Sequence, residues 1–391
     1  MALAAQTSRL FYFDWLRVLA FGLLVPYHAG LMFVDWGFHI QNAGLTEDLK
    51  PPMLFVNQWR LPLLFFVAGV GTRFALRRRP GRVFLQDRLR RLGIPLVAGI
   101  LLVIPPQTYL ERLSHGVSYP SYLGFYPHFF EAGNFTWNHL WFIVYLLAYS
   151  VLLLPVFLWL RRRNEAGSRG AGAGFWTGHY RLLGLVVPLV LIEVLLRSRW
   201  PDTRNLVADW YNFAFYLTFL LYGFVLSLSE WVWPQVEQNR WGYLAVGAVS
   251  SALIYVGWHS PGEGFLETTT AGWLAFCVFK CLNIWGWILC FIGFARHHLQ
   301  RSNAFLAYTN EAVYPFYILH QTVLIILGYY VLQWSAGIAI KYAVIVAGTF
   351  AGTAFLYEFV VRRVGILRLL FGLKPAPDPE AAPELRRVNP G

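Results

Sequence analysis

Charge is scarce in this chain. Asp, Glu, Lys and Arg make up 13% of its 391 residues, about half the share usual in soluble domains. Lysine is rarer still, confined to Lys50, Lys280, Lys341 and Lys374. With 57% hydrophobic residues, 18% aromatic residues and a mean hydropathy of +0.48, a soluble globule is excluded. Cysteine is almost missing as well: Cys277, Cys281 and Cys290 share one apolar segment without neighbouring Cys or His ligands. That excludes a disulfide framework and leaves no expectation of a metal site. The three thiols read as buried and inert. No GxSxG elbow, HExxH pair, P-loop or dinucleotide fingerprint stands in a usable context, which sets aside serine hydrolases, zincins and nucleotide-driven pumps. A small-residue cleavage site is also lacking, so the first apolar segment is expected to stay as a span.

What is present is a succession of long apolar runs. A helix needs about 20 such residues to cross a bilayer, whereas a barrel would show short alternating segments. The fold class is therefore all-α, a polytopic integral membrane protein. Ten spans are expected near 11–34, 53–76, 92–110, 139–160, 181–198, 206–228, 241–258, 271–294, 312–334 and 340–361. They form one bundle, a single transmembrane domain over 8–375, followed by a Pro-rich, disordered tail at 376–391. The segment 164–174 reads as a flexible linker.

Arginine orients this arrangement. Seven fall in the loop 77–91, with further clusters at Arg161, Arg162, Arg163, Arg169 and Arg181, at Arg296 and Arg301, and after the last span. All lie on one side of ten spans, so both termini are expected in the cytoplasm. Arg197, Arg199 and Arg204 are the exception. The net charge of +12 thus reflects topology and lipid contact before nucleic acid.

The most informative stretch is FYFDWLRVLAFGLLVPYHAGLMFV at 11–34, where Asp14, Arg17 and His28 interrupt a span. Each ionisable group in hydrocarbon costs about 2.5–3.5 kcal/mol on insertion scales, so such groups usually face protein or a wet cavity. Arg17 and His28 are eleven positions apart, which on a straight helix is about 16 Å along nearly one face. Snorkelling of Arg17 and a core role for His28 are the plainer readings. The loop 77–91 exceeds what topology requires, and guanidinium groups suit phosphates; lipid head groups are the alternative partner. Gly69 and Gly71 allow close approach of a neighbour or ligand. Trp141 and His139 open the fourth span. Tyr317, His320 and Gln321 place polar groups in the ninth, where Pro315 is expected to kink the helix. Lys280 and Asn283 are read as lining a cavity or pairing with another span. For Arg60, Glu193, Asp209 and Glu358 a structural partner is expected.

Several of these stretches together resemble one family. DWL before Arg17, with ten residues between Arg17 and His28, is similar to the opening signature of the membrane acyltransferase 3 family. FFVAG at 65–69, RLRRLGIP at 88–95, HLWF at 139–142 and YILH at 317–320 resemble further stretches of it, in order. YEF at 357–359 and LRLLFGLKP at 367–375 place the likeness in one branch. Ala68 departs from the pattern, standing where Ser is commoner.

The resemblance implies a ten-helix enzyme that moves an acyl group, acetyl or succinyl, from cytoplasmic acyl-CoA to a hydroxyl, usually on a sugar such as a glucan. Acyl-CoA is then a donor substrate and no cofactor stays bound. His28 and Arg17 are implied as catalytic, and Arg88 and Arg91 as the donor-binding region, joined by Arg90, Arg82 and Arg73. Asp14, His139, Tyr317 and His320 are orienting or oxyanion candidates; Gly69, Trp141, Lys280 and Asn283 are cavity candidates. Direct transfer and an acyl-His28 relay both stay open. A secondary transporter or flippase is the rival reading, since carriers also place charges and broken helices in spans. A membrane sensor or assembly subunit would leave the polar stripe of the first span unexplained.

Overall fold

Proline decides where many of these helices break. In the computed structural model, which describes residues 10–77, 79–166, 181–259 and 269–375, the first span is two helices, α1 (Phe11–Gly22) and α2 (Leu24–Leu31). Pro26 has no N–H to offer the carbonyl of Gly22, so the ladder is interrupted at Leu23. A second break separates α6 (Trp141–Leu152) from α7 (Leu154–Glu165), which meet at 55° just before Pro155. Between these, α3 (Lys50–Arg77) and α4 (Gly81–Ser114) are long. The arginine-rich segment is therefore mostly helix, where a loop to residue 91 was expected. α4 carries two π-helical turns, Leu89–Gly93 and Gly99–Val103. Pro95, Pro105 and Pro106 deny it the N–H groups that a regular ladder would use.

A short α5 (Tyr122–Phe125) lies in the connection to α6. α8 (Val186–Leu196) and α9 (Trp210–Leu226) follow, then α10 (Val232–Gln238), α11 (Arg240–His259) and α12 (Thr270–His298). α13 (Ala304–Val331) is one continuous helix that contains Pro315. α14 (Ile338–Phe355) continues as a π turn to Val361, and α15 (Gly365–Leu370) closes the described chain. No strand occurs among the described residues. Among the described residues, five helices are long and apolar enough to span a membrane: α3, α4, α12, α13 and Ile338–Val361. The bent pair from Asn138 to Glu165 makes a sixth if it counts as one span. The protein is thus an all-helical, multi-pass membrane protein. Arg78, Arg169, most of the 164–174 linker and the 376–391 tail lie outside the described residues.

The core is aromatic. Phe65, Phe66, Tyr149, Phe219 and Trp285 are fully buried between α3, α6, α9 and α12. α3 and α9 meet backbone to backbone, because a Cβ at Gly69 would overlap the Leu220 carbonyl and one at Gly223 the Phe66 carbonyl. Gly71 has nothing within 4 Å, so only Gly69 serves the crossing. Three of the four charges expected to pair, Glu193, Asp209 and Glu358, do so. Glu193 is fully buried and accepts from Lys280 Nζ at 2.6 Å, Arg197 Nη1 at 2.9 Å and the Tyr211 hydroxyl at 2.6 Å. Asp209 holds Tyr145 and Asn212, and Glu358 holds Arg362 and Tyr308. The three cysteines are buried and free.

Candidate active site

Two helices place the polar residues like the rails of a ladder. On one rail, α1 and α2 carry Arg17 and then His28; on the other, α13 carries Asn310 and then His320. The lower rung joins the Arg17 guanidinium to the side-chain oxygen of Asn310, with Asp14 at 3.4 Å. The upper rung joins His28 Nδ1 to His320 Nε2 at 3.1 Å. Ten residues of α13 separate the rungs, a rise of about 15 Å, against eleven on α1 and α2. The break at Leu23 means that the straight-helix face argument does not apply here. Both side chains reach α13 all the same.

Hydrogen bonding determines the state of each imidazole. His320 Nδ1 faces the carbonyl of Tyr317 at 2.6 Å. A carbonyl only accepts, so Nδ1 carries the proton and Nε2 of neutral His320 has the lone pair. His28 must then donate from Nδ1, which leaves its Nε2 unprotonated. His320 is fully buried, whereas His28 is half-buried. His139 and Tyr317 frame this pair. His139 Nε2 donates to the Ile318 carbonyl at 3.0 Å, and the Tyr317 hydroxyl donates to the backbone carbonyl of His139. Both groups therefore hold α13 against the 3₁₀ turn Asn138–Leu140 and fix where His320 stands.

Beyond His28, on the side away from Arg17, lies a second set of polar groups. Gln321 donates to His39 Nε2 at 3.1 Å, and His39 Nδ1 reaches Glu111 at 2.7 Å. Gln107 donates to Thr322 at 2.6 Å and accepts from Asn138 at 3.1 Å. Trp141 lies under the Arg204 guanidinium, 5.8 Å from its ring centre, while Arg204 pairs with Asp202. Asn138, Arg204 and Leu206 all hold positive φ, at 42°, 52° and 70°, a conformation that side chains tolerate poorly and that clusters at functional sites.

At the Arg17 end, the arginines divide. Arg88 turns inward, donating to Thr72 at 3.0 Å, with the half-buried Tyr314 nearby. Arg90 and Arg91 line a cavity of about 80 Å³ with Asp87, Gly372 and Lys374. Arg73 is half-buried on α3, and Arg82 is exposed. Three expected cavity residues stand elsewhere: Gly69 in the α3–α9 crossing, Lys280 in the Glu193 cluster, and Asn283 on Ser251 at 2.6 Å.

Arg60 drew only the expectation of a structural partner, and here the structure differs. It is 2% exposed, its Nε and Nη1 make no hydrogen bond, and its guanidinium lies 4.1 Å from the Tyr27 ring centre. Asn310, Gln107 and Thr72 were also missed, because single amides and hydroxyls in apolar runs carry no distinguishing pattern.

A histidine with a free lone pair, set in a helical membrane bundle between polar side chains and a basic cleft, is suited to the proton transfers of a membrane group-transfer enzyme. Residues 10–358 match the family described as acyltransferase domain, and the chain belongs to this acyltransferase 3 family. It is an acyltransferase transferring groups other than aminoacyl groups. It is similar to the glucans biosynthesis protein C of Salmonella paratyphi B, at 20% identity over 95% of this chain and 97% of the relative. The proteins of that name from Salmonella typhi and Salmonella typhimurium show the same identity and coverage. No solved structure matches the chain. The membership does not favour the carrier reading.

Proposed function

We propose that this protein is an integral membrane O-acyltransferase of the bacterial inner membrane that moves acetyl or succinyl from cytoplasmic acyl-CoA to a carbohydrate hydroxyl. A periplasmic glucan is the proposed acceptor, which the name of the similar proteins supports. The chain crosses the membrane ten times in this reading, with both termini cytoplasmic, following the arginine distribution. One observation carries the chemistry: the relay from His28 through His320 to the Tyr317 carbonyl.

The relay supports His28 as a general base. Its Nε2 takes the proton of the acceptor hydroxyl while that oxygen attacks the thioester carbonyl. Its Nδ1–H, already donating to His320, stabilises the imidazolium that forms. The tetrahedral intermediate then collapses, the C–S bond breaks, and His28 returns the proton to the departing CoA sulfur. A positioned base of this kind typically contributes about 10²–10⁴-fold. At the other rung, Arg88 and Arg91, with Arg90, Arg82 and Arg73, supply guanidinium groups for the CoA phosphates. Arg17, held by Asp14 and Asn310, adds a further cation on the same pair of helices as His28 and His320. The polar set around Gln107, Gln321 and His39 gives the acceptor hydroxyls hydrogen-bonding partners on the far side.

The test is thioester binding to purified protein in detergent, with wild type beside Arg88→Ala, Arg91→Ala and His28→Ala. Each arginine change is expected to weaken acetyl-CoA or succinyl-CoA binding by roughly 10–150-fold, the loss of one charge-assisted hydrogen bond of about 1.5–3 kcal/mol. His28→Ala and His28→Gln are expected to bind donor normally and lose transfer. Near-normal transfer by folded His28 variants refutes the base assignment. Absence of thioester binding to folded wild type refutes the donor site.

A further inference from the structure

Arg60 is an isolated cation in the middle of a membrane bundle. The other buried cations among the described residues are satisfied, Lys341 by Asn42 and the Leu332 carbonyl and Arg368 by the Lys374 and Arg362 carbonyls and Glu311, and the half-buried Lys280 has Glu193. Arg204 has both oxygens of Asp202 at 3.2 Å. No carboxylate lies against Arg60 among the described residues, and two of its nitrogens donate to nothing. The Tyr27 ring stacked on its guanidinium offsets only part of what burial costs an unpaired charge. A residue kept solely for packing here would be uncharged.

Its position explains the arrangement. Tyr27, whose ring lies against the Arg60 guanidinium, precedes His28, and the two rings stand 5.7 Å apart between centres. Along α3, Arg60 is twelve residues from Thr72, the partner of Arg88. That is about 18 Å of helix, so α3 forms a third rail, with its lower rung at the arginine cleft and its upper one beside the histidines. Fixed donors aimed into a dry site are what a developing negative oxygen needs.

Resting on the acyl-transfer reading above, we infer that Arg60 is an anion-binding residue of the reaction centre, holding a negatively charged oxygen of the acyl group beside His28. Two such oxygens exist in this chemistry. One is the oxyanion formed when the hydroxyl adds to the thioester carbonyl; the other is the distal carboxylate of a dicarboxylic acyl donor such as succinyl.

The experiment compares full-length wild type, Arg60→Gln and Arg60→Met in detergent, following CoA release from acetyl-CoA and from succinyl-CoA with one glucan oligosaccharide acceptor. Thermal unfolding is followed in parallel. Both variants are expected to fold with a Tm equal to or above wild type, because an uncompensated buried charge has been removed. Loss of one oxyanion donor typically lowers kcat by about 10²–10³-fold, so an equal fall with both donors assigns Arg60 to the oxyanion. A loss confined to succinyl-CoA, expressed mainly in KM, assigns it to the distal carboxylate. Wild-type kinetics with both donors overturn the inference. So does a lowered Tm or failure to fold in both variants, which would make Arg60 a structural cation. Wild type that turns over no thioester refutes the acyl-transfer reading, and the inference with it.

Discussion

Replacing His320 by leucine removes the acceptor for the His28 Nδ1 hydrogen, since Nε2 of His320 at 3.1 Å is what receives it. In the resting state the lost bond is between neutral groups, worth about 0.5–1.5 kcal/mol; once His28 holds the hydroxyl proton it is a bond from a charged donor, worth about 1.5–3 kcal/mol. The difference, about 1–2 kcal/mol, is felt only as charge builds on His28. It corresponds to roughly a 5–30-fold fall in kcat, at 1.36 kcal/mol per tenfold. Donor affinity should not change, because the arginine cleft meets α13 at Tyr314, six residues from His320. Glutamine is the informative second variant, as its Oε1 can stand near the lost Nε2 and accept the same hydrogen. His320→Gln is therefore expected within a few-fold of wild type, with His320→Leu clearly below it. The assay is CoA release under saturating donor, with Tm measured on the same preparations. A His320→Leu enzyme with wild-type kcat, or glutamine no better than leucine, refutes the relay.

Two further predictions concern the scaffold. Glu193→Gln removes the fully buried carboxylate that Lys280 and the more exposed Arg197 share; breaking a buried pair such as Lys280–Glu193 costs about 3–5 kcal/mol, so thermal unfolding in detergent should shift well down, and an unchanged Tm would refute it. Gly69→Ala drives a methyl into the Leu220 carbonyl, whereas Gly71→Ala meets nothing within 4 Å. The first should destabilise by about 1–3 kcal/mol or more through overpacking and reduce folded yield, the second should be silent, and equal behaviour of the two would contradict the helix crossing.

Much of this was legible in the chain because the bilayer imposes simple rules. Long apolar runs have to be helices when no water is present to satisfy the backbone, and helices are what the described residues form. Asp14, Arg17 and His28 stood out because ionisable groups in such runs are costly, and the order of FFVAG, RLRRLGIP, HLWF and YILH carried the family. Cys277, Cys281 and Cys290 read correctly as buried thiols, since an apolar segment without other ligands offers them nothing else.

Only the tertiary structure decided which polar groups meet. His28 and His320 are 292 positions apart, and no local pattern couples them; packing α2 on α13 does. Gly69 and Gly71 look alike in sequence, yet one lies at a backbone crossing and the other faces open space, because the side of α3 that meets α9 is set by the whole bundle. Lys280 and Arg60 were equally ambiguous as single charges in apolar runs. A carboxylate from α8 settles Lys280 into the scaffold, while Arg60 stays unpaired beside the histidines. The sequence alone thus determined the class of protein and the positions at which polar groups enter the membrane. Their roles follow from distances of a few ångströms between different helices, and those distances exist only once the bundle is packed.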